Sequence, residues 1–215
     1  MKQKPLLNRN DRKFLAAKTN NTLTLFVYDI IGQDLFGDGV TAQAVAQKLT
    51  EAGDLDSIIL RINSPGGDLF EAVAIKNLIA SKNVSVTVYV DGEASSAASI
   101  IMLVGDKIVM GEGSTVFVHN ALTFAGGNAS DFRKMADDLE KISGEMAQMY
   151  ATRTGLAINA VQALMDAETI LTAQEAVDKH FADEIAKPKV DIKTVDDTSP
   201  RAMSREQFEH ELLAL

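Results

Sequence analysis

Cysteine is absent from the 215 residues. That excludes disulfide cross-links, a thiol nucleophile and thiolate metal sites. Histidine is scarce. His119, His180 and His210 are scattered, with no His-x-x-x-His or similar spacing, so no metal site and no cofactor is expected. Long apolar runs are missing too. The longest candidates are broken by charge or glycine within about a dozen residues, too short for a membrane span. Positive charge is in deficit. The formal net charge of −9 argues against a nucleic-acid surface as the main activity. Residues 1–18 are polar and basic and lack the apolar centre of a secretory signal, so a cytoplasmic location is expected.

Hydrophobic residues make up 46% of the chain and charged residues 24%, an ordinary globular balance with material for a sizeable core. Residues 22–31 begin with alternation and read as a strand. Thr41 is placed to cap a helix running to about Ala52. Short apolar strands are expected at Ser57–Ile62, Val84–Val90, Lys107–Met110 and Thr115–Val118. Helices are expected at Leu69–Ser81, Ser96–Val104, 130–150, 157–165 and 173–179. This alternation predicts a layered α/β fold with mostly parallel crossovers. In the long helix, Phe132, Met135, Leu139, Ile142, Met146 and Met149 recur at steps of three and four, an apolar stripe that wants a partner. Three segments result: a polar N-terminal segment 1–18, a domain 19–186, and a polar linker with a short C-terminal helix over 187–215.

Three stretches carry chemistry, each after an apolar strand. Gly92-Glu93-Ala94-Ser95-Ser96-Ala97-Ala98-Ser99 is a serine-bearing turn of small residues leading into a helix. Such a turn exposes a nucleophile and aims helix N-terminal N–H groups at an oxyanion. Its plainer reading is a small-residue helix packed in the core. Asn63-Ser64-Pro65-Gly66-Gly67 offers glycine N–H groups after a strand, or simply a tight turn. His119 ends the strand Thr115–Val118, a position that suits a general base and that a structural histidine also occupies. Together the three supply nucleophile, oxyanion donors and base for acyl transfer. The turn is not the Gly-x-Ser-x-Gly elbow, and the glycine loop lacks the Gly-Lys-Ser/Thr of a phosphate-binding loop.

These motifs, in this order, resemble the ClpP-type serine peptidases of the ClpP/crotonase superfamily. Ile62–Gly67, the Gly-x-Ala-x-Ser-x-Ala turn from Gly92 and the strand ending in His119 carry the resemblance. Thr123–Asp131 resembles the family's glycine-containing handle segment, and Thr172-Ala173-Gln174-Glu175-Ala176 its Ser/Thr-Ala-x-Glu-Ala element. Tyr28–Gly32 and Gly39–Ala42 look most like the phage and prophage branch, which includes head-maturation proteases. The resemblance covers about Leu23 to Ile185. It implies a layered fold of repeated ββα units with a protruding handle strand and long helix.

It also implies Ser96 as nucleophile, His119 as base, and the N–H groups of Gly67 and Ala97 as oxyanion hole. Gly66, Phe124, Ala125, Gly126 and Gly127 are implied to bind substrate. The family's third member, an aspartate four residues before the Ser/Thr of the last element, falls on Glu168 here. Asp166 lies two residues earlier, and both stay open, as does a serine–histidine dyad. A second departure is His180, near which the family commonly has glycine.

The implied activity is a serine endopeptidase acting on polypeptides, ATP-independent or fed by an ATP-driven unfoldase. It would assemble into rings, heptameric or stacked, without nucleic-acid or membrane partners. In the phage branch the substrate would be a scaffold or capsid precursor. Two other readings are a crotonase-type acyl-CoA enzyme, which uses the same fold without a serine–histidine pair, and a non-catalytic oligomer.

Overall fold

The computed structural model describes residues 15–33 and 39–186. In chain order these form β1 (Leu15–Thr19), β2 (Thr22–Val27), α1 (Ala42–Ala52), β3 (Ser57–Ser64), α2 (Leu69–Ala80), β4 (Ser85–Ser95) and α3 (Ala97–Met102). Then follow β5 (Lys107–Met110), β6 (Thr115–Val118), α4 (Ala129–Thr154), α5 (Ile158–Asp166), β7 (Thr169–Thr172), α6 (Ala173–Asp178) and β8 (Glu184–Ile185). The α/β class expected from the alternation of elements is what the structure has.

The central strands run β1-β2-β3-β4-β5-β8, antiparallel between β1 and β2 and parallel thereafter. Leu23, Leu25 and Val27 of β2, Ile58, Leu60 and Ile62 of β3, and Val86, Val88 and Val90 of β4 are all buried. They alternate with half-buried residues, so this parallel sheet has one deeply buried face rather than two. Val45 and Leu49 of α1, Ile75 and Ile79 of α2, and Ile100 and Ile101 of α3 complete the core. Thr41 caps α1, its side chain accepting from the Ala44 N–H, as its place in the sequence predicts.

β4 positions the site. Its first half, Thr87–Val90, pairs with β5, and its second half, Glu93–Ser95, turns away to pair with β6. β6 in turn pairs antiparallel with β7. The sequence places the end of this strand at Val90 with a turn at Gly92. Instead a register shift lies opposite Ile62–Ser64, and the strand continues through Gly92 to Ser95. A Cβ at Gly92 would lie 2.4 Å from Asn63 Oδ1, so the missing side chain there makes room for the Asn63 amide rather than serving a chain reversal.

Further boundaries shift. Residues 15–18, assigned by composition to a polar N-terminal segment, belong to β1 and pair with β2. β7 forms where the sequence shows only a helix start at Thr172. The 130–150 helix is longer, 26 residues, or about 39 Å at 1.5 Å per residue. An Asn128–Asp131 capping box opens it and Gly155, in the left-handed region, closes it. Residues 119–128, which include the expected handle strand, run without strand pairing in the single chain. His180 has φ 60°, a conformation that glycine adopts without strain, so the turn survives the departure at that position. The expected linker and helix over 187–215, and residues 1–14 of the N-terminal segment, lie outside the described residues. Among the described residues no helix is long and apolar enough to cross a membrane.

Candidate active site

Ser96 follows β4 directly and precedes α3. Its backbone, φ 52° and ψ −124°, lies in a region that non-glycine residues rarely occupy, a strain of about 1–3 kcal/mol. Neighbouring groups hold it there. Its N–H donates to the Phe117 carbonyl at 2.9 Å, which welds the turn to β6. Its side chain does not cap α3. The hydroxyl instead lies 2.7 Å from His119 Nε2. His119 leaves the end of β6 with its ring stacked on Phe117 at 5.0 Å between centroids. The expected nucleophile and base are therefore within one hydrogen bond.

The glycine pair packs against this turn. Gly66 has φ 94°, and a Cβ there would meet Ser95 O at 2.6 Å and Ser96 Cβ at 2.8 Å. Gly67 has φ 144°, and a Cβ there would meet Ile31 O at 2.2 Å. Both positions demand glycine for conformation and for space. Two bonds fasten the loop to the chain after β2: Ile31 N–H to the Gly66 carbonyl, 2.8 Å, and Asp68 N–H to the Ile31 carbonyl, 2.9 Å. Fully buried Ser64 braces it further, accepting from the Gly66 N–H at 3.2 Å and donating to the Asp29 carbonyl at 2.7 Å. That brace was not singled out from sequence, where Ser64 reads as an ordinary turn residue. The N–H groups of Gly67 and Ala97 make no hydrogen bond among the described residues, and both residues line the cavity at Ser96.

That cavity has a volume of about 710 Å³. Ser96, His119, Gly67, Ala97 and Glu168 all border it. Its apolar wall comes from α4, through Met135, Leu139, Ile142 and Met146. The stripe read from the sequence as wanting a partner thus turns part of its length toward the cavity that Ser96 borders. Leu122 and Phe70 add exposed apolar surface at the cavity, and neither was anticipated. Phe124, Ala125, Gly126 and Gly127 do not line it, and Phe124 is 96% exposed. Gly66 lies beneath, buried against the serine turn.

The two acidic residues separate. Asp166 Oδ1 accepts from Asn120 Nδ2 at 2.8 Å. Glu168 borders the cavity but makes no hydrogen bond to His119. Its φ of 47° puts it in a left-handed turn after α5, which carries its side chain out of strand geometry. Ser95, the neighbouring serine, is occupied: its hydroxyl donates to Glu93 Oε2 at 2.6 Å.

Fold and geometry define a class: a layered α/β protein whose serine–histidine pair shares a cavity with two residues, Gly67 and Ala97, whose N–H groups make no hydrogen bond among the described residues. The chain belongs to the Clp protease family, whose family model, described as Clp protease, matches residues 18–189. It is 30% identical over 174 residues to the ATP-dependent Clp protease proteolytic subunit 1 of Corynebacterium diphtheriae, covering 78% of this chain and 83% of that one. It is 27% identical over 160 residues to the proteolytic subunit 2 of Streptomyces avermitilis, covering 72% and 80%. A solved structure of a ClpP1 mutant from Listeria monocytogenes matches with a TM-score of 0.66 at 24% identity, covering 77% of this chain and 92% of that one. This last match supports the fold.

Proposed function

We propose that the protein is a serine endopeptidase that cleaves peptide bonds through an acyl-enzyme. The observation that carries the reading is the 2.7 Å contact between Ser96 Oγ and His119 Nε2 in a cavity also lined by Gly67 and Ala97, whose N–H groups make no hydrogen bond among the described residues. Ser96 Oγ attacks the scissile carbonyl while His119 Nε2 takes its proton. The Gly67 and Ala97 N–H groups receive the oxyanion. His119 then passes the proton to the departing amine, and water, deprotonated by the same nitrogen, hydrolyses the ester. The serine–histidine contact favours this over a crotonase-type enzyme, which has no use for it.

Glu168 is the proposed partner of His119 Nδ1. Its support is proximity: Val118 and Thr169 form the last pair of the β6–β7 ladder, His119 and Glu168 follow directly beyond it, and both border the cavity. Catalytic hydrogen bonds of this kind commonly tighten only when substrate is bound. The unpaired segment 123–127 is proposed to lie along the substrate backbone at the mouth of the cavity.

Ring assembly is also proposed. Exposed Phe124, ahead of α4, and exposed Phe132, near the start of α4, support it, as apolar surface of this kind marks interaction sites. Relatives named as ATP-dependent proteolytic subunits support an unfoldase partner, and the Tyr28–Gly32 likeness supports a phage maturation role acting on a capsid or scaffold precursor. Hydrolysis of short fluorogenic peptides and of unfolded casein, with and without a Clp-type ATPase and ATP, tests these together. Peptide cleavage that disappears in Ser96→Ala supports the endopeptidase. Casein cleavage that requires the ATPase supports the unfoldase, and efficient cleavage without it favours the maturation role. No hydrolysis by the assembled wild-type protein would contradict the reading.

A further inference from the structure

Beneath the serine turn lies a buried run of hydroxyls that the acyl-transfer scheme leaves unused. Ser99 and Tyr150 are both 0% exposed. The Ser99 hydroxyl lies 2.5 Å from the Ser96 carbonyl oxygen and 2.6 Å from the Tyr150 hydroxyl. A carbonyl oxygen only accepts, so Ser99 spends its single proton on Ser96. Tyr150 must then donate to Ser99. The direction of the run is thereby fixed, from Tyr150 through Ser99 to the Ser96 carbonyl. The Ser99 N–H reaches the same carbonyl at 2.9 Å.

That carbonyl belongs to the peptide unit whose other end is the Ala97 N–H. The amide is conjugated and planar, so its two ends move and polarise together. Donors on the oxygen draw electron density from the nitrogen and strengthen the N–H as a donor, the cooperativity of linked hydrogen bonds. They also fix the plane of a peptide that follows a strained residue, and hence the direction in which the Ala97 N–H points.

We propose that Tyr150 and Ser99 are positioning residues that orient and polarise the Ser96–Ala97 peptide for oxyanion binding. This rests on the serine-peptidase reading above and adds to it. Tyr150 stands on α4, whose Met135, Leu139 and Ile142 wall the cavity, so one helix both shapes the apolar wall and braces the oxyanion donor. Burial raises the Tyr150 pKa well above the ordinary tyrosine value, which keeps the hydroxyl protonated at neutral pH.

The test compares Tyr150→Phe, Ser99→Ala and the double variant in the full chain. The probes are a fluorogenic peptide and a boronic acid of the same peptide, whose adduct with Ser96 is tetrahedral and anionic. Removing a whole oxyanion donor costs about 10²–10³ in kcat, and weakening one should cost a fraction of that. The expected result is a fall in kcat of about 3- to 10-fold for Tyr150→Phe and about 10- to 30-fold for Ser99→Ala. Boronate affinity should weaken in step with kcat while KM stays within about 2-fold. The double variant should be no worse than Ser99→Ala, since Tyr150 acts through Ser99. A lowered melting temperature with unchanged kcat and boronate affinity would overturn the proposal, leaving the pair purely structural. So would equal losses in KM, kcat and boronate affinity. If Ser99→Ala fails to fold, the nearly isosteric Tyr150→Phe decides alone. A wild-type protein that neither cleaves the peptide nor binds the boronate would instead overturn the serine-peptidase reading itself.

Discussion

Val118 of β6 pairs with Thr169 of β7, the last pair of that ladder, and His119 and Glu168 are the next residues beyond it on the two strands. Asp166 is committed elsewhere, to Asn120 at 2.8 Å. The two carboxylates should therefore differ sharply when neutralised. Glu168→Gln is expected to lower kcat by about 10²-fold or more with KM nearly unchanged, because orienting an imidazole and stabilising its cation matters in the transition state. Asp166→Asn should cost less than about 10-fold, through a loosened Asn120. Steady-state kinetics on both variants checks this. The reverse order would move the role to Asp166, and mild effects from both would leave a dyad of Ser96 and His119.

Gly66 touches the Ser96 turn from below, and no side chain fits. With φ 94° and a Cβ 2.6 Å from Ser95 O, Gly66→Ala must move either the loop or the turn. A loss of about 2 kcal/mol or more is expected in urea unfolding, from positive-φ strain plus the backbone clash. Activity should fall further than the folded fraction, because the displaced groups are the proposed nucleophile and oxyanion donors. Wild-type stability and activity in Gly66→Ala would refute this geometry.

Phe132 is 51% exposed on the first turn of α4, and Phe124 is 96% exposed just before it. In a ring these surfaces would be covered. Sedimentation velocity at micromolar concentration should show a multi-subunit species for the wild type. Phe132→Asp should shift it toward smaller species while leaving the circular dichroism spectrum unchanged. A wild-type monomer would count directly against assembly.

Much of this arrangement is legible in the sequence because its signals are local. The cap at Thr41 and the strands Lys107–Met110 and Thr115–Val118 follow from short apolar runs bounded by polar residues, and the structure reproduces them. Ser96, His119 and the glycine pair stand out because each follows a buried strand. What escaped depends on contacts distant in the chain. β4 continues past Gly92 because β6 offers it a second partner, and β7 exists because β6 pairs with it. Neither pairing leaves a mark in either strand alone. The stripe on α4 is visible, but not that Met135 and Leu139 line the cavity at Ser96, since a periodic pattern says which face is apolar and not what covers it. The family resemblance places the third member at Glu168, with Asp166 and a Ser96–His119 dyad as the alternatives. The left-handed turn at Glu168, which decides where its carboxylate points, has no sequence signature.

The central claim is that Ser96 is an activated nucleophile, and the most direct measurement is covalent labelling by a fluorophosphonate, mapped by mass spectrometry of the digested protein. Ser96 faces His119, whereas the Ser95 hydroxyl is bound to Glu93. The account predicts a single adduct on Ser96, lost in Ser96→Ala, slowed by orders of magnitude when His119 is replaced, and retained in Ser95→Ala. An adduct on Ser95, or no adduct on assembled wild-type protein, would contradict it.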